Sequence, residues 1–287
     1  MTIGVALLVV CSALVHAAWN AVLKRTREPD HAVIGVSSAA AFTSALVALA
    51  LHAPAPPRAS LVWCFVSGAL EAGYFFTLAR ALSLAPLGPV YTVVRGGALA
   101  IVWPVSVLAL HEELTAGRVA GTALVLLGLA STGAGERSGT VAATLDRRPR
   151  ARGFAFAVVC AVFVAGYHLA YKVALSNGGR PEAVVTISLS TASLVNIALI
   201  GRARARKVLE AARAQPLHVF GGGVLASGGF VVFLFAMERA GAGVVLTLRN
   251  TSILFAQLFA VLVGDRPKRL GVIGAALVCA GALLLAR

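Results

Sequence analysis

Residues 217–237 read LHVFGGGVLASGGFVVFLFAM, a run that contains no lysine, arginine, aspartate or glutamate. The hydrocarbon core of a bilayer is about 30 Å thick, and a helix of about 20 residues crosses it. Because hydrocarbon offers no partners to backbone polar groups, only helices and closed barrels can cross it. A barrel strand would alternate apolar and polar residues over about ten positions, and this run does not alternate. It therefore predicts a membrane-spanning helix.

Similar runs occur along the whole chain, separated by short segments that hold most of the charged residues. Of the 287 residues, 59% are hydrophobic and 13% are charged, and the mean hydropathy is +0.88. Soluble domains carry far fewer apolar residues. The fold class predicted is an all-α integral membrane protein of ten transmembrane helices. The predicted spans are 3–24, 32–53, 61–82, 89–110, 117–134, 153–175, 183–201, 217–237, 243–264 and 270–286. The basic segment 202–215 predicts a short helix in the membrane interface.

The two halves of the chain share residues at a nearly constant offset. The matched residues are Trp19, Asn20 and Lys24 with Tyr167, His168 and Lys172; Arg95 with Arg249; and Glu112, Gly121 and Gly128 with Asp265, Gly274 and Gly281. We divide the chain into a first five-helix repeat (1–134), a basic linker loop (135–152) and a second five-helix repeat (153–287). Because five is odd, the second repeat enters the membrane from the opposite side, which predicts an inverted repeat. The glycines favour close internal packing of the fifth and tenth helices.

Three short motifs of the first half resemble a known family. They are His16-Ala-Ala-Trp19-Asn20 with Lys24, Ala85-Pro86-Leu87-Gly88, and His111-Glu112-Glu113-Leu114-Thr115. In this order they resemble the drug/metabolite transporter superfamily, EamA-like group. The second half differs in having Gly264-Asp265-Arg266-Pro267 where the family often shows Gly-Glu-Arg and then Leu. The resemblance implies a ten-helix export or exchange carrier with two EamA-like repeats. Its central cavity would be lined mainly by helices 1, 3, 4, 6, 8 and 9, with helices 5 and 10 as scaffold.

Ionisable residues inside the predicted spans are candidates for function, because each costs at least ~2.5 kcal/mol to insert. Glu71 is the acidic residue nearest the middle of a span, and Tyr74 lies on the same helix face. It could take up and release a coupling proton. The alternatives are a structural hydrogen-bonded carboxyl or a partner for a nearby arginine.

Arg95 and Arg249 are each predicted about two turns inside a span, at depths that the repeat mirrors. A guanidinium binds a carboxylate or phosphate through two parallel hydrogen bonds, and Tyr91 and Asn250 add further donors nearby. The pair could therefore hold an anionic substrate. Alternatively, each arginine reaches the nearer interface or pairs internally, for instance with Glu71.

Two polar stripes follow helical spacing in the first and sixth spans, and a polar stripe facing lipid is unfavourable. We expect the stripes to line a cavity, where aromatic rings stack on substrate and the histidines donate or titrate. Interhelical hydrogen bonding is the alternative, and Lys24 and Lys172 are expected to anchor at headgroups. The stripes consist of His16, Trp19 and Asn20, and of Tyr167, His168 and Tyr171.

The function predicted is a secondary transporter, exporter or exchanger, of a small organic metabolite with an anionic group, working by alternating access. A lipid-linked sugar flippase is an alternative, and an intramembrane enzyme a weaker one. No metal-binding, nucleophile or nucleotide-binding motif occurs, so we expect no enzyme activity, no metal and no cofactor. The partners expected are a small-molecule substrate and the lipid bilayer; a role for protons and the choice between monomer and homodimer stay open.

The net charge of +14 arises from basic residues that lie mainly between spans, which argues against nucleic-acid binding. We expect a multi-pass protein of the plasma (inner) membrane. Of the 25 lysines and arginines, 17 lie on the side of the odd-numbered loops and 6 on the side of both termini, while Arg95 and Arg249 lie in spans. Because positively charged loops resist translocation, this count predicts both termini outside. Members of the EamA-like group usually have both termini in the cytoplasm.

Overall fold

The computed structural model describes residues 2–24, 26, 29–85, 87–136, 147–262 and 269–286, and within these residues the chain is helical with no strand. Ten segments of them are long and apolar enough to cross a membrane. The predicted ten-helix membrane fold class is thus confirmed. The helices are α1 Ile3–Lys24, α2 Pro29–Ala50, α3 Arg58–Leu84, α4 Leu87–Ala109, α5 Ala116–Glu136, α6 Arg147–Ser176, α7 Pro181–Ala214, α8 Pro216–Arg239, α9 Ala242–Arg249, α10 Ser252–Leu262 and α11 Arg269–Ala286.

Large apolar side chains are exposed on the outside of the helix bundle, among them Phe42, Leu108, Leu217 and Leu283. Contiguous apolar surface of this extent is unfavourable in water. In a bilayer the same side chains contact lipid tails, so the outward-facing surface agrees with the ten candidate spans.

The helix packing of the first half recurs in the second half. In the predicted repeat, α1, α2 and α3 correspond to α6, α7 and α8. The contact of α3 with α6 therefore corresponds to the contact of α8 with α1. The contact of α2 with α8 corresponds in the same way to the contact of α7 with α3. The helices α2 and α7 contact each other, and so do α5 and α11. This pattern of contacts is consistent with the predicted repeat.

The contact between α5 and α11 brings two backbones together at glycines. A Cβ atom built on Gly128 would lie 2.6 Å from the carbonyl oxygen of Gly274, and one built on Gly281 would lie 2.6 Å from that of Gly121. The two contacts occur in opposite order along the two helices, so α5 and α11 are antiparallel. Repeat-related helices that pack antiparallel are what an inverted repeat requires. The fifth and tenth predicted spans, which are α5 and α11 here, thus pack closely at glycines as predicted.

Two predicted boundaries differ in the structure. The helix α5 continues to Glu136 and α6 begins at Arg147, so both ends of the predicted linker 135–152 are helical because helix propagation extends beyond the apolar core. The middle of this linker and the acidic turn at Asp265 lie outside the described residues. Within α7, Gly201 has φ 71° and ψ 170°, a backbone conformation that glycine adopts without strain. This residue separates the membrane-spanning part of α7 from the predicted basic helix after it.

The ninth predicted span, 243–264, is interrupted instead of being one helix. Here α9 ends at Arg249 and α10 begins at Ser252. Between them the N–H groups of Asn250 and Thr251 donate to the carbonyls of Thr247 and Leu248, at 3.1 and 3.0 Å. Hydrogen bonds from residue i to residue i−3 define a 3₁₀ turn, and such a turn inside a helix often marks a hinge.

Candidate functional site

A cavity lies between the two halves, near the middle of the spans. Its volume is about 30 Å³, so the walls would have to move apart to admit an organic substrate. Side chains of α1, α3, α4, α6, α8 and α9 line it, the same six helices that the family resemblance implied. The lining residues are His16, Trp19, Tyr74, Phe75, Leu78, Tyr91, Val94, Arg95, Val164, Tyr167, His168, Phe230 and Arg249.

The imidazole of His16 brings the two repeat-related arginines together. Its Nε2 atom lies 2.9 Å from Nη2 of Arg95, and its Nδ1 atom lies 3.4 Å from Nη2 of Arg249. The indole N–H of Trp19 lies 3.2 Å from the same Nδ1 atom. One arginine comes from each half of the chain, so a single ring connects the halves at the cavity.

Arg249 is held deep in the protein by aromatic rings. It is 2% exposed, and its Cζ atom lies 4.8 Å from the ring centroid of Phe230 and 4.0 Å from that of Phe233. Cation–π contacts of this kind orient the guanidinium. Its Nε and Nη1 atoms have no hydrogen-bond partner among the described residues, and no carboxylate lines the cavity. Among the described residues no carboxylate forms an ion pair with Arg249, and the buried Glu71 interacts with its charge through space.

Aromatic rings form one wall of the cavity. The rings of Tyr74 and Tyr167 lie 5.8 Å apart, and Tyr167 stacks on His168 with centroids 4.1 Å apart. The Nδ1 atom of His168 contacts the carbonyl of Val164 at 2.7 Å, and a neutral ring donates there because a carbonyl only accepts. The Nε2 atom of His168 is then an acceptor and has no partner among the described residues.

Four of the predicted site residues do not line the cavity. Glu71 is fully buried one turn beyond Tyr74 and accepts a hydrogen bond from the hydroxyl of Tyr171 at 2.9 Å. Its other oxygen has no partner among the described residues. The amides of Asn20 and Asn250 donate to carbonyls one turn earlier in their own helices, at 2.7 and 3.1 Å. The Glu71–Tyr171 pair is therefore a buried polar site behind the cavity wall.

Five lining residues were not predicted from the sequence, namely Phe75, Leu78, Val94, Val164 and Phe230. Leu78 and Val164 lie one helical turn from Tyr74 and His168, so the face that these polar residues mark could have indicated them. Phe230 lies in a predicted span without charged residues, where nothing in the sequence distinguishes the cavity face from the lipid face.

The turn between α8 and α9 is held from both sides, and we call this arrangement the α8–α9 clasp. The carboxylate of Glu112 accepts hydrogen bonds from the N–H groups of Ala242 and Gly243, at 2.5 and 3.3 Å. The ammonium of Lys172 donates to the carbonyls of Met237 and Ala240, at 2.8 and 2.9 Å. An anion at a helix N-terminus and a cation at a helix C-terminus both suit the helix dipole.

The prediction that Lys172 anchors at headgroups is therefore wrong. Its ammonium reaches the orphan carbonyls at the end of α8, which need donors that the helix itself cannot provide. The side chain of Lys24 lies outside the described residues. Next to the clasp, the indole N–H of Trp103 donates to the hydroxyl of Thr247 at 3.1 Å, which ties α4 to α9.

Ten apolar helices around a cavity with buried polar groups define a multi-pass membrane protein with an internal site. Residues 151–287 match the model of the EamA-like transporter family. The match covers slightly less than half of the chain, and together with the ten apolar spans it supports a membrane protein of the drug/metabolite transporter superfamily. The family suggests a membrane transporter of small molecules.

The fold recurs in known structures. One solved structure, described only as a crystal structure of a protein, superposes with a TM-score of 0.75 over 98% of this chain and 97% of that chain. The two sequences are 19% identical, so this likeness shows the fold alone. No curated protein matches the chain significantly.

Proposed function

We propose that the protein is a secondary transporter of small organic anions, which binds its substrate in the cavity between the halves and exposes it to each side of the membrane in turn. The observation that carries this proposal is the convergence of Arg95 and Arg249 on one cavity, whose described lining residues include no carboxylate. A buried guanidinium without a counter-charge is costly, and an anion in the cavity would offset that cost.

The surroundings of the cavity fit alternating exposure. The 3₁₀ turn at residues 250–251 directly follows Arg249, so a change in the angle between α9 and α10 would move the guanidinium. The α8–α9 clasp lies at the other end of α9. A substrate that changes the position of Arg249 would thereby act on elements at both ends of the same helix. The absence of a nucleotide-binding motif in the sequence favours an ion or substrate gradient as the energy source.

A thermal-shift screen of the purified full-length protein tests the proposed binding of anions. The panel holds carboxylic acids, amino acids and phosphorylated metabolites, each paired with an uncharged amide or alcohol of the same skeleton at equal ionic strength. A ligand at 100 times its Kd stabilises the folded state by about 2.7 kcal/mol. We expect anions, and not their uncharged partners, to raise the melting temperature. Stabilisation by uncharged members alone would contradict the proposal.

We further propose that Glu71 carries a proton if transport is coupled to protons. The carboxyl is fully buried, one of its oxygens has no described partner, and it lies one turn from the cavity wall. Glu71→Gln removes the titration and keeps the size and the hydrogen bond to Tyr171. Uptake into vesicles is expected to lose its pH dependence. The control is Glu113→Gln, which alters an exposed carboxyl and is expected to keep the original pH profile. Full and equally pH-dependent uptake by the Glu71 variant would remove this role.

A further inference from the structure

We infer that the substrate is an aromatic carboxylate without an ammonium group, and that His16 is the specificity-determining residue that receives one carboxylate oxygen. This inference rests on the proposed function, because it names the chemistry of the same cavity. The carboxylate oxygen would lie between His16 Nδ1, the indole N–H of Trp19 and the guanidinium of Arg249.

His16 is surrounded by a surplus of hydrogen-bond donors. The groups that contact its two ring nitrogens are the guanidinium of Arg95 on one side, and Trp19 and Arg249 on the other. All three groups can only donate hydrogen bonds. An imidazole carries at least one N–H, so in every protonation state one His16 N–H is directed at another donor. Among the described residues around His16, none provides an acceptor for that N–H group.

The shorter contact indicates where that acceptor belongs. The Nε2 atom of His16 lies 2.9 Å from Nη2 of Arg95, and Nδ1 accepts a hydrogen bond from the indole N–H of Trp19 at the longer distance of 3.2 Å. If Arg95 donates to Nε2 when substrate is bound, the ring hydrogen would lie on Nδ1 and face Trp19 and Arg249, the latter at 3.4 Å. An oxygen anion entering between these three groups would accept from each of them. The second oxygen of a carboxylate would have the unpartnered Nε and Nη1 atoms of Arg249 available.

The other lining residues indicate which kind of group the substrate carries besides its carboxylate. Away from the arginines and histidines, every side chain that lines the cavity is aromatic or aliphatic. Trp19, Tyr167 and Phe230 are each less than 10% exposed, so these rings are already held in place by packing. Preorganised aromatic rings bind another ring in stacked or edge-to-face geometry and contribute about 0.5–1.5 kcal/mol for each pair beyond burial.

The positive charges that face the cavity disfavour a substrate with an ammonium group. Two guanidinium groups already face the cavity, and Glu71, which could offset a further positive charge, is fully buried behind Tyr74 and bonded to Tyr171. An amino acid would place its ammonium near Arg249 with no carboxylate among the lining residues. The arrangement therefore favours a simple carboxylate over the corresponding amino acid.

Isothermal titration calorimetry of the full-length protein in nanodiscs tests the inference with matched probes. The probes are 3-phenylpropanoate, phenylalanine, propanoate and succinate. We expect 3-phenylpropanoate to bind at least about 10-fold more tightly than each of the others, because propanoate and succinate lack the ring and phenylalanine adds an ammonium group. His16→Phe keeps a ring without nitrogen atoms and is expected to weaken binding of 3-phenylpropanoate about 10-fold, the loss of one charge-assisted hydrogen bond, while His16→Gln retains part of the affinity. The control His52→Gln alters an exposed histidine in the turn between α2 and α3 and is expected to change nothing.

Two outcomes would overturn the inference and leave the proposed function in place. One is equal or tighter binding of phenylalanine, and the other is tight binding of succinate that depends on Arg95 and Arg249. Unchanged binding of 3-phenylpropanoate by His16→Phe would refute the role of His16. If no anion, including the phosphorylated members of the thermal-shift panel, binds in a manner that depends on either arginine, the proposed function itself fails.

Discussion

Arg249→Gln is expected to weaken anion binding about 10- to 100-fold, while the empty protein stays at least as thermally stable as the unaltered chain. A lost charge-assisted hydrogen bond costs about 1.5–3 kcal/mol, which corresponds to this loss of affinity. The stability follows because Arg249 is 2% exposed and two of its nitrogen atoms lack described partners, so its removal relieves a buried charge that no described carboxylate pairs with directly. Calorimetry for binding and a melting curve without ligand measure the two effects.

Arg249→Lys and Arg58→Gln are the matched variants. Lysine keeps the charge but cannot form two parallel bonds, so we expect an intermediate affinity. Arg58 is exposed at the start of α3, and its replacement is expected to leave binding unchanged. A large drop in the melting temperature of empty Arg249→Gln, with normal affinity for anions, would show that the arginine is structural.

Gly128→Ala is expected to destabilise the protein by about 1–3 kcal/mol, the usual cost of forcing extra atoms into a packed contact. The added Cβ atom would lie 2.6 Å from the carbonyl oxygen of Gly274 and 2.7 Å from a side-chain carbon of Val278. Backbone atoms cannot move aside as a flexible side chain can, so α5 and α11 would have to separate. The melting temperature of the purified variant measures the effect.

Gly117→Ala is the control within the same helix. The nearest atoms to a Cβ atom there lie 4.0 Å away, which is ordinary contact distance. We therefore expect this variant to melt close to the unaltered protein or slightly above it, since alanine has the higher helix propensity. Equal melting temperatures for the two variants would mean that α5 and α11 do not pack as closely as described.

The ten-helix architecture could be predicted from the sequence because the requirement behind it is local. Each apolar run has the length that a bilayer sets, and this length does not depend on the other helices. The convergence of Arg95 and Arg249 could also be anticipated, since the repeat relates their positions although they are 154 residues apart in the chain. Symmetry provided the long-range information that a single helix lacks.

The features that could not be predicted depend on contacts between distant residues. Lys172 lies near a helix end, where anchoring at headgroups is the local expectation, and only the position of the carbonyls at the end of α8 shows its partners. Phe230 faces the cavity because of how α8 is rotated, which a uniformly apolar segment does not reveal. The interruption after Arg249 occurs at Asn250 and Thr251, residues that also occur inside continuous helices.

The α8–α9 clasp binds peptide groups and not side chains, which has a practical use. Glu112 and Lys172 contact main-chain atoms of Ala242, Gly243, Met237 and Ala240, so these hydrogen bonds do not depend on the side chains of the turn. Gly241 and Gly243 are nevertheless required as glycines, because a Cβ atom would collide with the Glu112 carboxylate at the first and with the Trp103 ring at the second. The side chain of Arg239 is 50% exposed and belongs to the residue just before Ala240. A cysteine-linked fluorophore at position 239 would thus lie next to the Ala240 carbonyl that Lys172 binds, without replacing either partner of that hydrogen bond. Its spectrum would report each opening of the turn.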